Sequence, residues 1–133
     1  MRAKRECYAV LDASAILAYL KKEKGYEQVR DAIQSGVSVS AVNFSEVLTK
    51  VIEKGLEVDA VASRLLALGL VVHPFTEADA RQSAQIVPMT RALCLSMGDR
   101  ACLALSLRLG LQAMTADTIW AKLGSPFKIV TIR

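Results

Sequence analysis

The stretch CYAVLDASAILAYL, residues 7–20, decides the fold of this chain, because a short apolar run gives way at Asp12 to an apolar helix. CYAVL has the continuously apolar character of a buried strand, and ASAILAYL continues as a helix. Asp is among the residues preferred at a helix N-cap, where its side chain accepts a hydrogen bond from a free backbone N–H. The sequence therefore leaves two roles open for Asp12, a helix cap or part of a site built where the strand ends.

The rest of the chain alternates short apolar runs with helical segments, which is typical of an α/β fold with a parallel sheet. The predicted strands are residues 7–11, 37–42, 70–75, 111–116 and 128–132. The predicted helices are residues 13–24, 26–36, 43–55, 57–69, 76–87, 98–109 and 117–124, and the one over 76–87 is expected to end near Pro88. At 133 residues, with no internal repeat or linker, the chain is predicted to form one domain over residues 1–133.

Composition narrows the chemistry that the chain can support. No apolar stretch approaches the roughly 20 residues of a membrane helix, so we expect a soluble, cytoplasmic protein without a membrane partner. The three cysteines form no Cys-x-x-Cys pair and are expected to be reduced thiols in apolar surroundings. His73 is the single histidine, which leaves little for Cys–His or Ser–His catalysis. We therefore expect any chemistry to depend on carboxylates.

The chain is also basic, with a formal net charge of +4 at pH 7. The basic residues cluster at Arg2, Lys4 and Arg5 and again at Lys21, Lys22 and Lys24. An excess of this size is compatible with a polyanionic partner such as nucleic acid, and equally with lysines on a solvated helix face.

Four acidic residues stand where predicted helices begin. They are Asp12 after strand 1, Glu46 after strand 2, Asp99 in the helix before strand 4, and Asp117 after strand 4. In a right-handed β-α-β layout the helix N-termini lie at the carboxyl edge of the sheet, where open α/β sheets place their sites. Oxygen ligands without histidine or paired cysteine suit a hard cation, Mg²⁺ or Mn²⁺. The sequence thus predicts an acidic metal site at this edge.

Helix capping is the alternative for each acid taken alone. NFSE over residues 43–46 and SMGD over residues 96–99 both resemble capping boxes. Acids near a helix N-terminus are also stabilised by the helix dipole. TEAD over residues 76–79 has the same spacing, and we assign Asp79 wholly to capping.

Four blocks resemble, in order and spacing, the motif blocks of PIN-domain ribonucleases, and in particular of the VapC toxins of bacterial toxin–antitoxin pairs. The blocks are VLDASAILAYL, SAVNFSEVL, LSMGDRACLALSLRLGL and MTADTIWAKL. The resemblance covers nearly the whole chain. It implies a single PIN-like α/β domain with a parallel five-stranded sheet in the order 3-2-1-4-5, flanked by helices. That order brings the ends of strands 1, 2 and 4 together and leaves strand 3 at the sheet edge.

The resemblance also implies roles for individual residues. The family's acidic residues match Asp12, Glu46, Asp99 and Asp117, which are expected to bind Mg²⁺, with Mn²⁺ able to substitute. Glu46 is expected to bind the metal directly, through water, or to help position the attacking nucleophile.

Further positions match residues that support the family's site. Ser14, two places after the first acid, is expected to hydrogen-bond a metal ligand or a metal-bound water, with an ordinary first-turn serine as the alternative. Asn43 either orients Glu46 or caps its helix, and Thr115 matches the hydroxyl before the last acid.

Basic residues are expected to hold the substrate. Arg100 is expected to meet RNA phosphate, with a surface salt bridge as the alternative, and Lys21 and Lys22 are expected to hold the RNA backbone.

The activity implied is metal-assisted hydrolysis of RNA phosphodiester bonds, which leaves 5′-phosphate and 3′-hydroxyl ends. The implied partners are RNA, a VapB-like antitoxin and a second copy of the chain in a homodimer. A non-cleaving PIN-like module that binds RNA or protein is the main alternative. A response-regulator receiver would need paired acids after strand 1 and an acid after strand 3, and a dehalogenase-type phosphatase would need Asp-x-Asp, whereas residues 12–14 are Asp-Ala-Ser.

Overall fold

The computed structural model describes residues 8–133, and within them five strands form one parallel sheet in the order β3-β2-β1-β4-β5. The strands are β1 (Ala9–Leu11), β2 (Val37–Ser40), β3 (Leu70–His73), β4 (Gln112–Thr115) and β5 (Ile129–Thr131). The fold class and sheet order implied by the resemblance are confirmed, with β3 at one edge. The predicted start of strand 1 at Cys7 and the basic residues Arg2, Lys4 and Arg5 lie outside the described residues.

Helices pack on both faces of this sheet. Those within residues 8–133 are α1 (Ala13–Lys21), α2 (Tyr26–Ser35), α3 (Ala41–Glu53), α4 (Val58–Ala67), α5 (Glu77–Gln85), α6 (Val87–Thr90) and α7 (Met97–Leu109). Two 3₁₀ turns are also present, one at Arg91–Leu93 before α7 and one at Thr118–Lys122 after β4. None of the helices in the described part of the chain is both long enough and apolar enough to cross a membrane.

The central strand β1 contributes to an apolar cluster on each side of the sheet. Ala9 and Leu11 belong to the cluster covered by α1 and α2, while Val10 belongs to the one formed with α7 and Trp120. Alternate residues of a strand point to opposite faces, so a strand covered on both faces must be apolar throughout. This explains why the run before Asp12 is continuously apolar.

The start of α3 differs from the prediction by two residues. Helix α3 begins at Ala41 because Ser40, the last residue of β2, also caps the helix, with its Oγ accepting a hydrogen bond of 3.2 Å from the N–H of Val42. The predicted start at Asn43 was therefore wrong. Asn43 lies inside the first turn of α3, so capping is excluded as its role.

Two other segments also differ from the predicted helices, one in where the helix ends and one in the type of helix. Pro88 does not end α5, which stops at Gln85, but falls in the first turn of the short helix α6. Proline is tolerated there because first-turn N–H groups have no partner within the helix. The predicted helix over residues 117–124 is a 3₁₀ turn of five residues, Thr118–Lys122.

Asp79 has a second role that the capping prediction missed. It forms the expected capping box with Thr76 at the start of α5. Its carboxylate is also buried and accepts two hydrogen bonds from Arg108 of α7, Nε to Oδ1 at 2.8 Å and Nη2 to Oδ2 at 3.1 Å. The assignment of Asp79 wholly to capping was wrong, because a residue 29 positions away in sequence completes its contacts.

Candidate active site

Asp12 lies at the carboxyl end of the central strand and is only 4% exposed. Its N–H donates to the carbonyl of Met114 at 3.1 Å, which extends the pairing between β1 and β4 by one residue. Its Oδ1 accepts a hydrogen bond of 2.8 Å from the N–H of Ala15. Asp12 therefore does cap α1, but this contact engages only one of its two oxygens.

Two hydroxyl groups complete the contacts of the Asp12 carboxylate. Ser14 Oγ donates to Oδ1 and Oδ2 at 2.8 and 2.9 Å, and Thr115 Oγ1 donates to Oδ2 at 2.6 Å. Each hydroxyl is held in turn by a backbone N–H, Ser14 by that of Ala116 at 2.9 Å and Thr115 by that of Asp117 at 3.0 Å. The ends of β1 and β4 are thus joined by a polar network centred on Asp12.

Burial decides the ionisation of Asp12. Removal from water raises the pKa of this carboxyl from 3.8 to about 6, although hydrogen bonds from Thr115, Ala15 and Ser14 favour the charged form. The negative charge of Asp99 adds to the increase. Carboxyl groups with a raised pKa near other acids are typical of functional sites.

Glu46 reaches the first turn of α7. Asn43 Nδ2 donates to Glu46 Oε1 at 2.8 Å and to the carbonyl of Gly98 at 2.9 Å. The Glu46 carboxylate lies directly against Gly98, where a Cβ atom would be 2.6 Å from both of its oxygens. Of the two roles left open by the sequence, Asn43 thus has the one that contacts Glu46.

Asp99 and Cys102 lie near the N-terminal end of α7, close enough to the other acids for their charges to interact. Asp99 forms a capping box with Ser96, in which Asp99 Oδ2 accepts from the N–H of Ser96 at 2.9 Å. One turn further on, burial raises the pKa of the Cys102 thiol, and the charges of Asp12, Asp99 and Glu46 raise it further. Cys102 therefore lies within electrostatic reach of three of the four predicted acids. It is a buried free thiol, as expected, whereas Cys94 is free but exposed, so the expected apolar surroundings were wrong for Cys94.

Asp117 and Glu46 are the exposed members of the four acids, whereas Asp99 is half-buried and Asp12 is buried. Asp117 caps the 3₁₀ turn Thr118–Lys122, with its Oδ1 accepting from the N–H of Ile119 at 3.1 Å. Its link to the centre of the site is the backbone, since its N–H donates to Thr115, which in turn donates to Asp12.

The acids are adjacent but are not gathered into a ligand set. Within residues 8–133 no three His, Cys, Asp or Glu side chains have the arrangement of a metal site. One oxygen each of Asp12, Asp99 and Asp117 is engaged in a helix cap, and the second oxygen of Asp12 accepts hydrogen bonds from Ser14 and Thr115. By donor type these carboxylates fit a hard cation, and Asn43 Oδ1 is a buried acceptor without a partner beside Glu46. The metal ligands stay a prediction.

Two of the three basic residues expected to meet RNA lie away from Asp12. Lys21 is the last residue of α1 and Lys22 is its C-cap, whereas Asp12 is the N-cap, and the nine residues of the helix span about 14 Å along its axis. The guanidinium of Arg100 donates to the carbonyls of Ser83 and Leu95 at 3.1 and 3.3 Å, and so ties α7 to α5. The salt bridge given as the alternative role of Arg100 is not among the ion pairs of residues 8–133.

Sequence reasoning missed two residues of this region. Gly98 was treated only as part of a capping motif, although the space above its Cα holds the Glu46 carboxylate. Cys102 is predicted to be structural, and the sequence does not show that the charges of Asp12, Asp99 and Glu46 act on its thiol. Both are close to Asp99 on α7, and the one available signal was a glycine at the start of an otherwise strongly helical segment.

The family of the chain follows from a sequence comparison. The family model for the PIN domain matches residues 9–126, which include all four predicted acids. The chain belongs to the PIN domain family. No curated protein sequence matches it.

Solved structures with the same fold come from toxin–antitoxin systems. The chain is similar to a toxin–antitoxin complex from Klebsiella pneumoniae, with a TM-score of 0.72, 18% identity, and 94% of this chain and 98% of that one covered. It is similar to DNA-bound VapBC from Salmonella typhimurium, with a TM-score of 0.72, 14% identity, and 96% and 100% covered. It also resembles VapC20 of Mycobacterium tuberculosis, a sarcin–ricin loop cleaving toxin, with a TM-score of 0.65, 17% identity, and 87% and 96% covered. Likeness at these identities concerns the fold.

Proposed function

We propose that this chain is a metal-dependent endoribonuclease and the toxin of a VapBC-like toxin–antitoxin pair. The observation that carries the proposal is the buried Asp12 carboxylate, held by two hydroxyl groups at the end of the central strand, with Glu46 and Asp99 nearby. Membership of the PIN domain family supports it. So does the fold shared with VapC20, whose described activity is cleavage of an RNA loop.

Mg²⁺ is the proposed cofactor, with Mn²⁺ able to substitute. Asp12, Glu46, Asp99 and Asp117 are the residues that would hold it. When bound, the ion would act as a Lewis acid towards the scissile phosphate and the leaving oxygen. A hard divalent cation would also offset the cost of keeping Asp12 ionised in a buried position next to like charges.

The chain's own residues contribute orientation. Ser14 and Thr115 hold both oxygens of Asp12, while Asn43 holds one oxygen of Glu46 and the N–H of Ser96 holds one oxygen of Asp99. Side chains fixed in this way lose little freedom when a ligand arrives, which is the requirement for an efficient site. Phosphate binding by Lys21 or Lys22 requires an RNA that extends along α1 beyond the acids.

A non-cleaving module that binds RNA or protein is the second candidate. The acids of residues 8–133 do not form a ready ligand set, and the pKa of Asp12 is about 6, so a fraction of this carboxyl is protonated near neutral pH. A protein that kept the PIN fold for binding alone would show these features.

An antitoxin is the proposed protein partner, and a cleft remote from the acids offers one place for it. The cleft lies between α1, α2 and α4, has a volume of about 320 Å³, and is lined by Tyr19, Tyr26 and three leucines together with Lys22, Arg30 and Arg64. Apolar walls with a cationic rim fit a segment that is apolar and acidic. A homodimer of the chain is proposed as well, on the resemblance alone.

The test is a transcriptome-wide map of new RNA 5′-phosphate ends after the chain is induced in bacteria. Asp12→Asn is the matched control, because it keeps shape and helix capping and removes the charge. Discrete new ends with the wild type alone are expected. In vitro, cleavage at the same positions should stop with a chelator and return with Mg²⁺ or Mn²⁺.

Equal maps from the two soluble proteins would contradict the nuclease proposal and favour the binding module. Cleavage that persists in the presence of chelator would contradict the proposed cofactor and leave the nuclease activity in place.

A further inference from the structure

The first two turns of α3 approach the first turn of α7, where the Glu46 carboxylate lies against Gly98. We propose that Asn43 and Gly98 form a seat for this carboxylate and act as positioning residues for the proposed ribonuclease activity, on which the kinetic part of the inference rests. Asn43 supplies a donor on one side, and Gly98 supplies space on the other. The two residues are 55 positions apart in sequence and are linked directly by a hydrogen bond.

The absence of a side chain at position 98 has a steric reason. A Cβ there would lie 2.6 Å from Oε1, 2.6 Å from Oε2 and 2.8 Å from Cδ of Glu46. Gly98 has no positive φ, so its backbone conformation is open to any residue. Glycine within a helix is less favourable than alanine, and this one is tolerated where it admits a carboxylate. The Glu46 carboxylate therefore occupies the space that a side chain at position 98 would need, and it would have to move for alanine to fit.

The amide of Asn43 has one possible orientation. Both partners of Nδ2, Glu46 Oε1 and the Gly98 carbonyl, are acceptors, so a flipped amide would face two acceptors with its own oxygen. Asn43 Oδ1 is then left buried without a partner in the described part of the chain. A fold accepts a buried unpaired acceptor at few positions, and these are commonly functional ones. We infer that the role of the Asn43 side chain is to donate from Nδ2 to Glu46 and to the Gly98 carbonyl.

Asn43 and Glu46 stand on the same face of α3, three residues apart, so the helix directs both side chains to the same place. Gly98 directly precedes Asp99, so the seat also sets where Glu46 lies relative to a second acid of the site. A shift of about 1 Å in such a group can reduce a rate by about a hundredfold. An added methyl group at position 98 or a lost donor at position 43 would cause a shift of this kind.

The seat is tested first by thermal unfolding, which needs no assumption about activity. Gly98→Ala is made in the wild type and in the Glu46→Ala background, and Gly124→Ala serves as control, because a Cβ at Gly124 meets nothing within 4 Å. We expect Gly98→Ala to raise the Tm in the Glu46→Ala background, where alanine only improves the helix, and to raise it less or lower it in the wild type, where the Glu46 carboxylate must move. A shift of the same sign and size in both backgrounds would overturn the seat.

The positioning role is tested by kinetics on the RNA found above. Gly98→Ala and Asn43→Asp are expected to lower kcat about tenfold or more and to leave KM within about threefold, since binding contacts elsewhere persist. Asn43→Asp keeps the size of the side chain, replaces its donor by an acceptor and adds a negative charge beside Glu46, so it removes the hydrogen bond and serves if Gly98→Ala folds poorly. Unchanged kcat in both variants would overturn the positioning role. A wild-type protein that cleaves no RNA would contradict the proposed function. The Tm comparison in the two backgrounds would still test whether Asn43 and Gly98 form a seat for the Glu46 carboxylate.

Discussion

The hydroxyl of Thr115 donates a hydrogen bond of 2.6 Å to Oδ2 of Asp12 and joins the ends of strands β4 and β1. Short O–H···O⁻ contacts of this kind are among the stronger hydrogen bonds in proteins. Even so, burial raises the pKa of Asp12 to about 6, because three donors only partly replace the water that the carboxylate has lost. Asp12 is therefore a group that the fold orients closely and keeps ionised at a cost.

Replacing Asp12 by Asn should stabilise the metal-free protein at neutral and higher pH. The pKa of Asp12 is raised in the folded state from 3.8 to about 6, so its contribution to stability is present below pH 4 and is lost as the pH rises through 6. At about 1.36 kcal/mol per pKa unit, Asp12→Asn should gain up to about 3 kcal/mol at pH 8. Denaturant unfolding with chelator from pH 4 to 8 measures this, and a difference independent of pH would contradict it.

Removing the Thr115 hydroxyl should raise the pKa of Asp12 further. Thr115→Val keeps the shape and removes the donor to Asp12, whereas Thr115→Ser keeps the donor and is the matched control. We expect Thr115→Val to lose about 1–2 kcal/mol of unfolding free energy, since the N–H of Asp117 also loses its acceptor. The acidic limb of any pH–rate profile should move to higher pH in this variant only. Identical profiles for Val and Ser would show that Thr115 does not act on Asp12.

The ion pair between Asp79 and Arg108 should matter for stability rather than for the site. Burial raises the pKa of Asp79, but the hydrogen bonds and charge of Arg108 and the capping contacts of Thr76 outweigh it and hold the pKa below its usual value. The stability that Asp79 contributes is thus present above its unfolded-state pKa and is lost as the pH falls through the folded-state value.

Arg108→Met should cost about 2 kcal/mol at pH 7, because it leaves a buried carboxylate without its partner. The double variant Arg108→Met/Asp79→Asn should recover part of this loss, since the unpaired charge is removed. Urea unfolding of the three proteins gives the comparison. A double variant less stable than Arg108→Met would contradict the explanation.

Gly25 should tolerate substitution far less than Gly55, although both have positive φ, +91° and +75°. A Cβ at Gly55 meets nothing within 4 Å, so Gly55→Ala should cost only the backbone strain, about 1 kcal/mol. A Cβ at Gly25 would overlap the carbonyl of Ile132, which is buried in the core. Gly25→Ala should therefore lower the Tm at least about twice as much. Equal decreases in Tm for the two variants would show that the backbone at Ile132 can move aside without loss of stability.

The architecture could be predicted because the local patterns and the resemblance agree. The apolar run of β1 is continuous since the strand is covered on both faces, and each helix has the period of an amphipathic or buried element. The errors are at boundaries, where one residue serves two elements. Ser40 ends β2 and caps α3, and Pro88 begins a short helix instead of ending a longer one.

The candidate site could be predicted less completely. The positions of Asp12 and Asp99 at helix starts were visible in the sequence, as was the hydroxyl of Ser14, whereas Glu46 lies in the second turn of α3 because that helix begins at Ala41. The distance of Lys21 and Lys22 from Asp12 was not visible, because it depends on the length and direction of α1. The partners of Asp79 and Arg100 were also hidden, since each is bound by a residue of another helix.

The sequence by itself determined the α/β class, the resemblance to the PIN domain and the residues at the carboxyl ends of the strands, because strand and helix periods and N-cap preferences are local properties. Only the tertiary structure decided what surrounds each carboxylate. Burial and the Thr115 hydroxyl set the state of Asp12, and the approach of α7 to α3 put Glu46 against Gly98. These contacts join residues about 50 to 100 positions apart, and they exist only after packing has excluded water from the groups concerned.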